Sequence, residues 1–293
     1  MLVDLVRTTT ADGLRLDGAL LAPTGDTGQV PFDAVICLHG VGSSFYSTNL
    51  MEKIAPDLQA LGLHVLWANT RGHDLVYAAY VQGRPKRQGA AYEIVGDGRN
   101  DISAWVNFLS DRGWNRIVLL GHSLGAIKSV YTLAHEPLPN VRAVVAASPP
   151  RLSYAAFMAA GARGFAEAMH RAEELVAAGK SEELIEVSFP YPLLIAAGAY
   201  VDKYGRAERY NIFNFADRLP CPTLFVYGAE ELETGGIAFA GLPEALAKLR
   251  RPDQTLDVVT IPHANHMYAG VQEKLAAAVC QWLQKREEIS KLK

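Results

Sequence analysis

Short apolar, β-branched runs recur along this chain at spacings that leave room for a helix between neighbours. Ala34–Leu38, His64–Ala68, Arg116–Leu120, Arg142–Ala146, Thr223–Tyr227 and Leu256–Ile261 read as strands buried on both faces. They are accompanied by amphipathic stretches such as Leu50–Leu61, Asp97–Ser110 and Ala269–Lys285. This alternation is the pattern of a mostly parallel sheet with helices on both faces. Two earlier segments, Leu2–Thr9 and Leu14–Leu21, joined through Asp12-Gly13, read as an antiparallel hairpin on the sheet edge. The expected class is therefore mixed α/β.

The rhythm breaks between Pro149 and Leu219. There the pattern turns helical (Phe165–Ala177, Glu182–Val187) and aromatic, with Phe157, Phe189, Tyr191, Tyr200, Tyr204 and Tyr210. About 70 residues between two sheet strands are too many for a plain loop. The reading is a core formed by residues 1–149 and 220–293, with residues 150–219 inserted as a helical lid over the carboxyl end of the sheet, where open α/β folds bind ligands. A second excursion, Asp74–Val95, carries Arg84, Lys86 and Arg87 and has no clear period.

Composition narrows the partners. Hydrophobic residues make up 49% and charged residues 20% of the chain, which excludes a disordered or fibrous protein. Twenty-eight Lys and Arg stand against 31 Asp and Glu, a net charge of −3 with no basic block, so neither nucleic acid nor an anionic membrane is an expected partner. No apolar run approaches the ~18 to 20 residues of a membrane span, and no basic segment leads into an apolar run at the N-terminus, so a cytoplasmic location is expected. Cys37, Cys221 and Cys280 are odd in number, widely spaced and set among apolar residues, which reads as buried free thiols rather than disulfides or a zinc site.

Chemistry enters with Gly121-His122-Ser123-Leu124-Gly125. This pentapeptide follows the strand-like Ile117–Leu120 and opens a helical pattern, Ala126–Ala134. A serine at such a turn is held in a strained conformation, and the residues two positions either side must lack side chains so that strand and helix can approach. The hydroxyl then projects above a helix N-terminus, whose partial positive charge favours a developing anion.

From about Leu14 to Leu283, excluding most of the lid, the order of motifs resembles the α/β-hydrolase superfamily. The resemblance implies a nucleophile, an acid and a histidine in that order along the chain. Ser123 takes the first place. After the last strand, Ile261-Pro262-His263-Ala264-Asn265-His266 puts His266 rather than His263 at the position of the general base. After Thr223–Tyr227 the sequence is Gly228-Ala229-Glu230-Glu231, and the family spacing of three residues beyond the glycine selects Glu231, with Glu230 as competitor. Glu stands where most relatives have Asp. The resemblance also assigns the two oxyanion-hole donors to the N–H groups of Val41, in His39-Gly40-Val41-Gly42, and of Leu124. It makes His39 a loop brace and Arg71 a structural clamp between loops. Ser44, Tyr46, Tyr191 and Tyr200 are the candidate substrate contacts.

The function so implied is that of a serine hydrolase cleaving a carboxylic ester of a small molecule through an acyl-enzyme on Ser123, without metal or organic cofactor. An acyltransferase, an amide or C–C bond hydrolase on the same residues, and a non-catalytic receptor of the same fold stay open. So does association of the chain with further copies of itself.

Overall fold

The computed structural model describes residues 3–47, 49–161 and 163–291. Eight strands form the central sheet: β1 (Asp4–Thr9), β2 (Arg15–Leu21), β3 (Ala34–Leu38), β4 (His64–Ala68), β7 (Ile117–His122), β8 (Val141–Ala147), β11 (Thr223–Gly228) and β12 (Leu256–Ile261). Their order is β1-β2-β4-β3-β7-β8-β11-β12. β2 runs antiparallel to both β1 and β4, while β4, β3, β7, β8, β11 and β12 pair in parallel. The edge hairpin read from the sequence is β1–β2, with Leu2 outside the described residues.

The period of two along each strand divides the core into two layers. On β3, Ala34, Ile36 and Leu38 face one layer while Val35 and Cys37 face the other, and on β7 Ile117 and Leu119 alternate with Val118 and Leu120 in the same way. Helices α2 (Gly98–Ser110) and α3 (Leu124–His135) cover the first layer through Ile102, Trp105, Ile127 and Val130. The other face is covered by α1 (Asn49–Ala60) and α9 (Gln272–Lys291), which bring Leu50, Ile54, Leu58, Leu275, Val279 and Leu283. Each fully buried aliphatic or aromatic side chain contributes about 1.5–3 kcal/mol. The expectation of an α/β-hydrolase fold with a mostly parallel sheet is met.

Two connections depart from the sequence reading. The Asp74–Val95 excursion contains an antiparallel hairpin, β5 (Tyr77–Val81) and β6 (Arg84–Gln88), turning at Gln82-Gly83, both at positive φ. Residues 150–219, between the adjacent strands β8 and β11, hold α4 (Tyr154–Ala159), α5 (Arg163–Ala177), β9 (Leu184–Val187), β10 (Leu193–Ala196) and α6 (Ala197–Tyr204). Glu182–Val187, read as helical, is therefore mostly strand: Ile185 and Val187 are buried, Glu186 is exposed, and β9 pairs antiparallel with β10. This segment is joined to the core by the Ala196 N–H, which donates to Ala91 O at 2.7 Å. After β11 come α7 (Ala229–Thr234) and α8 (Leu242–Leu249). All three cysteines are free, but only Cys37 is fully buried; Cys221 and Cys280 are half-buried. No helix among the described residues is long and apolar enough to cross a membrane.

Candidate active site

Ser123 sits between β7 and α3 with φ 55° and ψ −121°. The strain is enforced from both sides. A Cβ at Gly121 would overlap the carbonyl of Gly125, and one at Gly125 would overlap the carbonyl oxygens of Leu38 and His39, so strand and helix close up only because both positions are glycine. The Ser123 N–H donates to Ala147 O at 2.9 Å, which ties the turn to β8.

The loop between β12 and α9 brings His266 to the serine. The Ser123 hydroxyl donates to His266 Nε2 at 3.0 Å, and the opposite ring nitrogen, Nδ1–H, donates to Glu231 Oε2 at 2.8 Å. Glu231 lies in the first turn of α7 and is buried, whereas the Glu230 side chain next to it is exposed and His263 is exposed at φ 60°. Of the two carboxylates open from sequence, Glu231 is the one that reaches the imidazole. The other oxygen of Glu231 accepts from the Ser148 hydroxyl at 2.5 Å and from the Gly228 N–H at 2.8 Å.

His122 braces this histidine. Its Nε2–H donates to the His266 carbonyl at 2.8 Å, and the two rings lie 4.9 Å apart. Burial, with the adjacent His266, pushes the His122 pKa down to about 3, so its ring stays neutral and adds no competing charge. Phe239 packs edge-on against His266 with centroids 5.3 Å apart.

Among the described residues, two backbone N–H groups bordering the cavity are without acceptors. They belong to Val41 and Leu124, both of which line the cavity above the serine. The direction of the first is set by His39. Its Nδ1–H donates to Gly40 O at 2.8 Å, and because that carbonyl shares a peptide plane with the Val41 N–H, fixing one aims the other in the opposite direction. His39 Nε2 accepts from the Thr70 N–H at 3.1 Å, and burial together with the nearby Lys128 ammonium pushes its pKa down to about 3.

Behind this loop lies a buried charge cluster. Lys128 of α3 donates to Thr70 Oγ1 at 2.8 Å and pairs with Glu93 at 2.5 Å, both side chains being almost inaccessible. Lys203 of α6 is also buried and has no hydrogen-bond partner among the described residues. Burial opposes ionisation of Glu93, but the Lys128 and Lys203 ammonium groups outweigh it and hold the carboxyl below its ordinary range. Arg71 is fastened to Asp101 at 2.8 Å and Asp12 at 3.0 Å; because Asp101 is in the first turn of α2, the clamp runs from the loop after β4 to that helix and to the β1–β2 turn rather than between two loops, and Arg71 is not part of the cavity lining.

The serine opens into a cavity of about 430 Å³. Its walls are Leu152 and Phe157 from the start of the 150–219 segment, Pro190, Tyr191 and Tyr204 from its later part, Ala238 and Phe239 from the chain after α7, and Met267. Among the described residues, no Asp, Glu, Lys or Arg lines it. Among the candidate substrate contacts, Tyr191 is in this wall and three others are elsewhere. Tyr46 is exposed and donates to Asp74 beside a separate groove. Ser44 is buried and donates to Ser47 at 2.7 Å. Tyr200 is fully enclosed in the packing of the 150–219 segment, its hydroxyl donating to Phe189 O at 3.1 Å. Phe239 and Met267 are not among the sequence candidates: Met267 is signalled only by its adjacency to His266, and nothing in the sequence around Phe239 marks its position. Among the described residues no group of three or more His, Cys, Asp or Glu side chains is placed to hold a metal.

A mostly parallel sheet, helices on both faces, and a strained serine between a strand and a helix define the α/β-hydrolase class. The chain belongs to the alpha/beta hydrolase family, whose model matches residues 35–278. No curated protein is detectably similar to it in sequence. Among solved structures it resembles the Pyrococcus furiosus esterase Pf2001, at 21% identity and a TM-score of 0.57, covering 97% of this chain and 92% of that one. It also resembles Est1E from Butyrivibrio proteoclasticus (17% identity, TM-score 0.63, covering 96% and 98%). A third is the alpha/beta hydrolase GrgF from Penicillium sp. sh18 (15% identity, TM-score 0.65, covering 98% and 99%). At these identities the structures speak for the fold.

Proposed function

We propose that this protein is a serine carboxylesterase acting on uncharged small esters through an acyl-enzyme on Ser123. The observation that carries the reading is the unbroken hydrogen-bond chain from Glu231 through His266 to Ser123, opening into a cavity whose described lining residues include no Asp, Glu, Lys or Arg. The Ser123 oxygen attacks the ester carbon as its proton passes to His266 Nε2. The buried Glu231 carboxylate stabilises the resulting imidazolium and keeps the second ring proton on Nδ1. The carbonyl oxygen, now anionic, accepts from the N–H groups of Val41 and Leu124. The imidazolium then protonates the leaving alkoxide. Water, deprotonated by His266, attacks the acyl-enzyme in turn and releases the acid and the free Ser123 hydroxyl.

Residues 150–219 act in this reading as the roof of the acyl site, since Phe157, Tyr191 and Tyr204 supply its aromatic wall. A charged acyl group would lose its hydration there without a partner, which favours neutral alkyl or aryl acids. The esterase names of Pf2001 and Est1E agree with this chemistry. The test is labelling by a fluorophosphonate probe combined with turnover of p-nitrophenyl esters of graded chain length. Labelling that disappears in Ser123→Ala, with ester turnover in the wild type, is expected. A wild type that neither labels nor hydrolyses any of the esters would refute it.

A further inference from the structure

The two oxygens of Glu231 have unequal surroundings. Oε2 has the His266 Nδ1–H at 2.8 Å, while Oε1 takes two donors, the Ser148 hydroxyl at 2.5 Å and the Gly228 N–H at 2.8 Å. Ser148 stands one residue beyond β8, is fully buried, and lies outside the cavity lining. Its own N–H donates to Val226 O at 2.7 Å, anchoring it to β11. The Tyr268 hydroxyl lies 2.8 Å from Ser148 Oγ and 3.1 Å from Val226 O, and it closes the group from the far side.

Ser148 has φ 51°. A non-glycine residue in that region carries roughly 1–2 kcal/mol of strain that glycine would not. A serine held there, with its hydroxyl proton committed to a carboxylate, has a use for the hydroxyl.

We infer that Ser148 is a positioning residue for the proposed reaction: backed by Tyr268, it occupies Oε1 of Glu231 and so aims Oε2 at His266. The inference rests on the proposed esterase reading only for its kinetic consequence. With Oε1 supplied with donors, the carboxylate cannot rotate that oxygen toward the imidazole, and its charge is shared between two sides. Removing the hydroxyl concentrates the pull of Glu231 on the imidazole proton, so the His266–Glu231 pair holds its proton to higher pH. The other titratable groups facing the pair are His122 from β7, Tyr227 from β11 and Tyr268 from the loop before α9, with Arg151 beyond Tyr227. Burial keeps the His122 ring neutral down to about pH 3 and holds both phenols far above neutrality, so none of these three changes charge between pH 5 and 9.

The test uses Ser148→Ala, Ser148→Gly and Tyr268→Phe in the full chain. Ser148→Gly removes the hydroxyl while relieving the positive φ, so it separates the hydrogen bond from backbone strain. Three quantities are read: kcat and KM on p-nitrophenyl acetate, the acidic limb of kcat/KM, and the His266 imidazole titration by NMR, assigned against His266→Gln. Both Ser148 variants are expected to lower kcat about 10- to 100-fold, the scale of a lost hydrogen bond to a charged group, with KM within about twofold. Both should raise the acidic limb and the NMR titration of His266 by about 0.5–1 pH unit, and Tyr268→Phe should move them less in the same direction. Variants that keep wild-type kcat and an unmoved His266 titration, or that lose only thermal stability, would overturn the assignment. The NMR titration needs no substrate, so an inactive wild type with a displaced titration in Ser148→Ala counts against the esterase reading alone.

Discussion

Glu231→Gln isolates the acid, because it keeps the shape of the side chain and changes only what it can accept. The Ser148 hydroxyl and the Gly228 N–H still find a carbonyl oxygen in the place of Oε1. On the other side an amide NH₂ now faces His266 Nδ1 across 2.8 Å. Two N–H groups cannot point at each other at that distance, and the imidazole escapes by carrying its proton on Nε2. That is the atom 3.0 Å from Ser123 Oγ, so the lone pair that should receive the serine proton is gone. Loss of the correct tautomer costs about 10⁴ in kcat, or about 5.4 kcal/mol of transition-state stabilisation. Glu231→Asp makes a second, graded perturbation: withdrawing the carboxylate by about one C–C bond, ~1.5 Å, opens the contact with Nδ1 to about 4.3 Å. The tautomer is then unlocked rather than inverted, and a loss of about 10²–10³ is expected. Glu230→Gln, on an exposed side chain, should stay within about twofold. The assay is kcat on p-nitrophenyl acetate, normalised to active sites counted by fluorophosphonate titration. Glu231→Gln retaining more than about a tenth of wild-type turnover, or Glu230→Gln losing as much, would show that this carboxylate does not hold the base.

The cavity wall predicts that Phe157→Ala, Tyr191→Ala and Tyr204→Ala shift KM and chain-length preference across p-nitrophenyl esters more than they shift kcat on the acetate; Tyr200→Phe, which loses only a contact to Phe189 O, should leave that profile unchanged. Gly125→Ala, whose Cβ overlaps the Leu38 and His39 carbonyls, should cost about 1–3 kcal/mol in stability and displace the Val41 donor, read as a lowered Tm together with a lowered kcat. The neutral, buried His39 and His122 predict an acid-sensitive fold. Both have folded pKa values near 3, below the 6.5 of the unfolded chain, so the unfolded state binds two more protons and stability falls as pH drops through that window, by roughly 2.7 kcal/mol per pH unit. His122→Gln should halve the histidine part of that slope in urea titrations between pH 4 and 6, and an unchanged slope would contradict the buried neutral assignment.

The frame of the molecule is legible in the sequence because its strands are buried on both faces and bounded by clear breaks; Ala34–Leu38, His64–Ala68 and Leu256–Ile261 coincide with β3, β4 and β12. Ser123 is legible from its glycine-flanked strand-to-helix turn, whereas His266 and the acid are reached only through the family resemblance, which leaves Glu231 and Glu230 open until the burial of Glu231 and its 2.8 Å contact with His266 are seen. The β5–β6 hairpin escapes notice because its turn is Gln82-Gly83 rather than Asn-Gly or Asp-Gly, and Pro85 breaks the strand pattern. Leu184–Val187 is too short for periodicity to separate helix from strand, and its partner β10 decides the matter. Substrate contacts are the least legible. Whether a tyrosine such as Tyr191 faces the cavity or, like Tyr200, its own packing depends on tertiary context that no local pattern carries.

The buried Glu93, Lys128 and Lys203 bear on protein engineering. Glu93 and Lys128 belong to the part of the chain before residue 150, and Lys203 to residues 150–219, which contribute to the cavity wall. A chimera that exchanges residues 150–219 for the corresponding segment of another hydrolase would take one cation away and leave the Glu93–Lys128 pair under whatever surface the donor supplies. Breaking such a buried ionic group by removing one member is far more damaging than replacing all of it with apolar side chains of similar volume. Recombination at the β8 and β11 junctions is thus compatible with the backbone yet constrained by electrostatics. Libraries meant to retailor the cavity should hold Lys203 fixed while varying Phe157, Tyr191 and Tyr204, or neutralise all three charged positions in the recipient before a replacement for residues 150–219 is grafted.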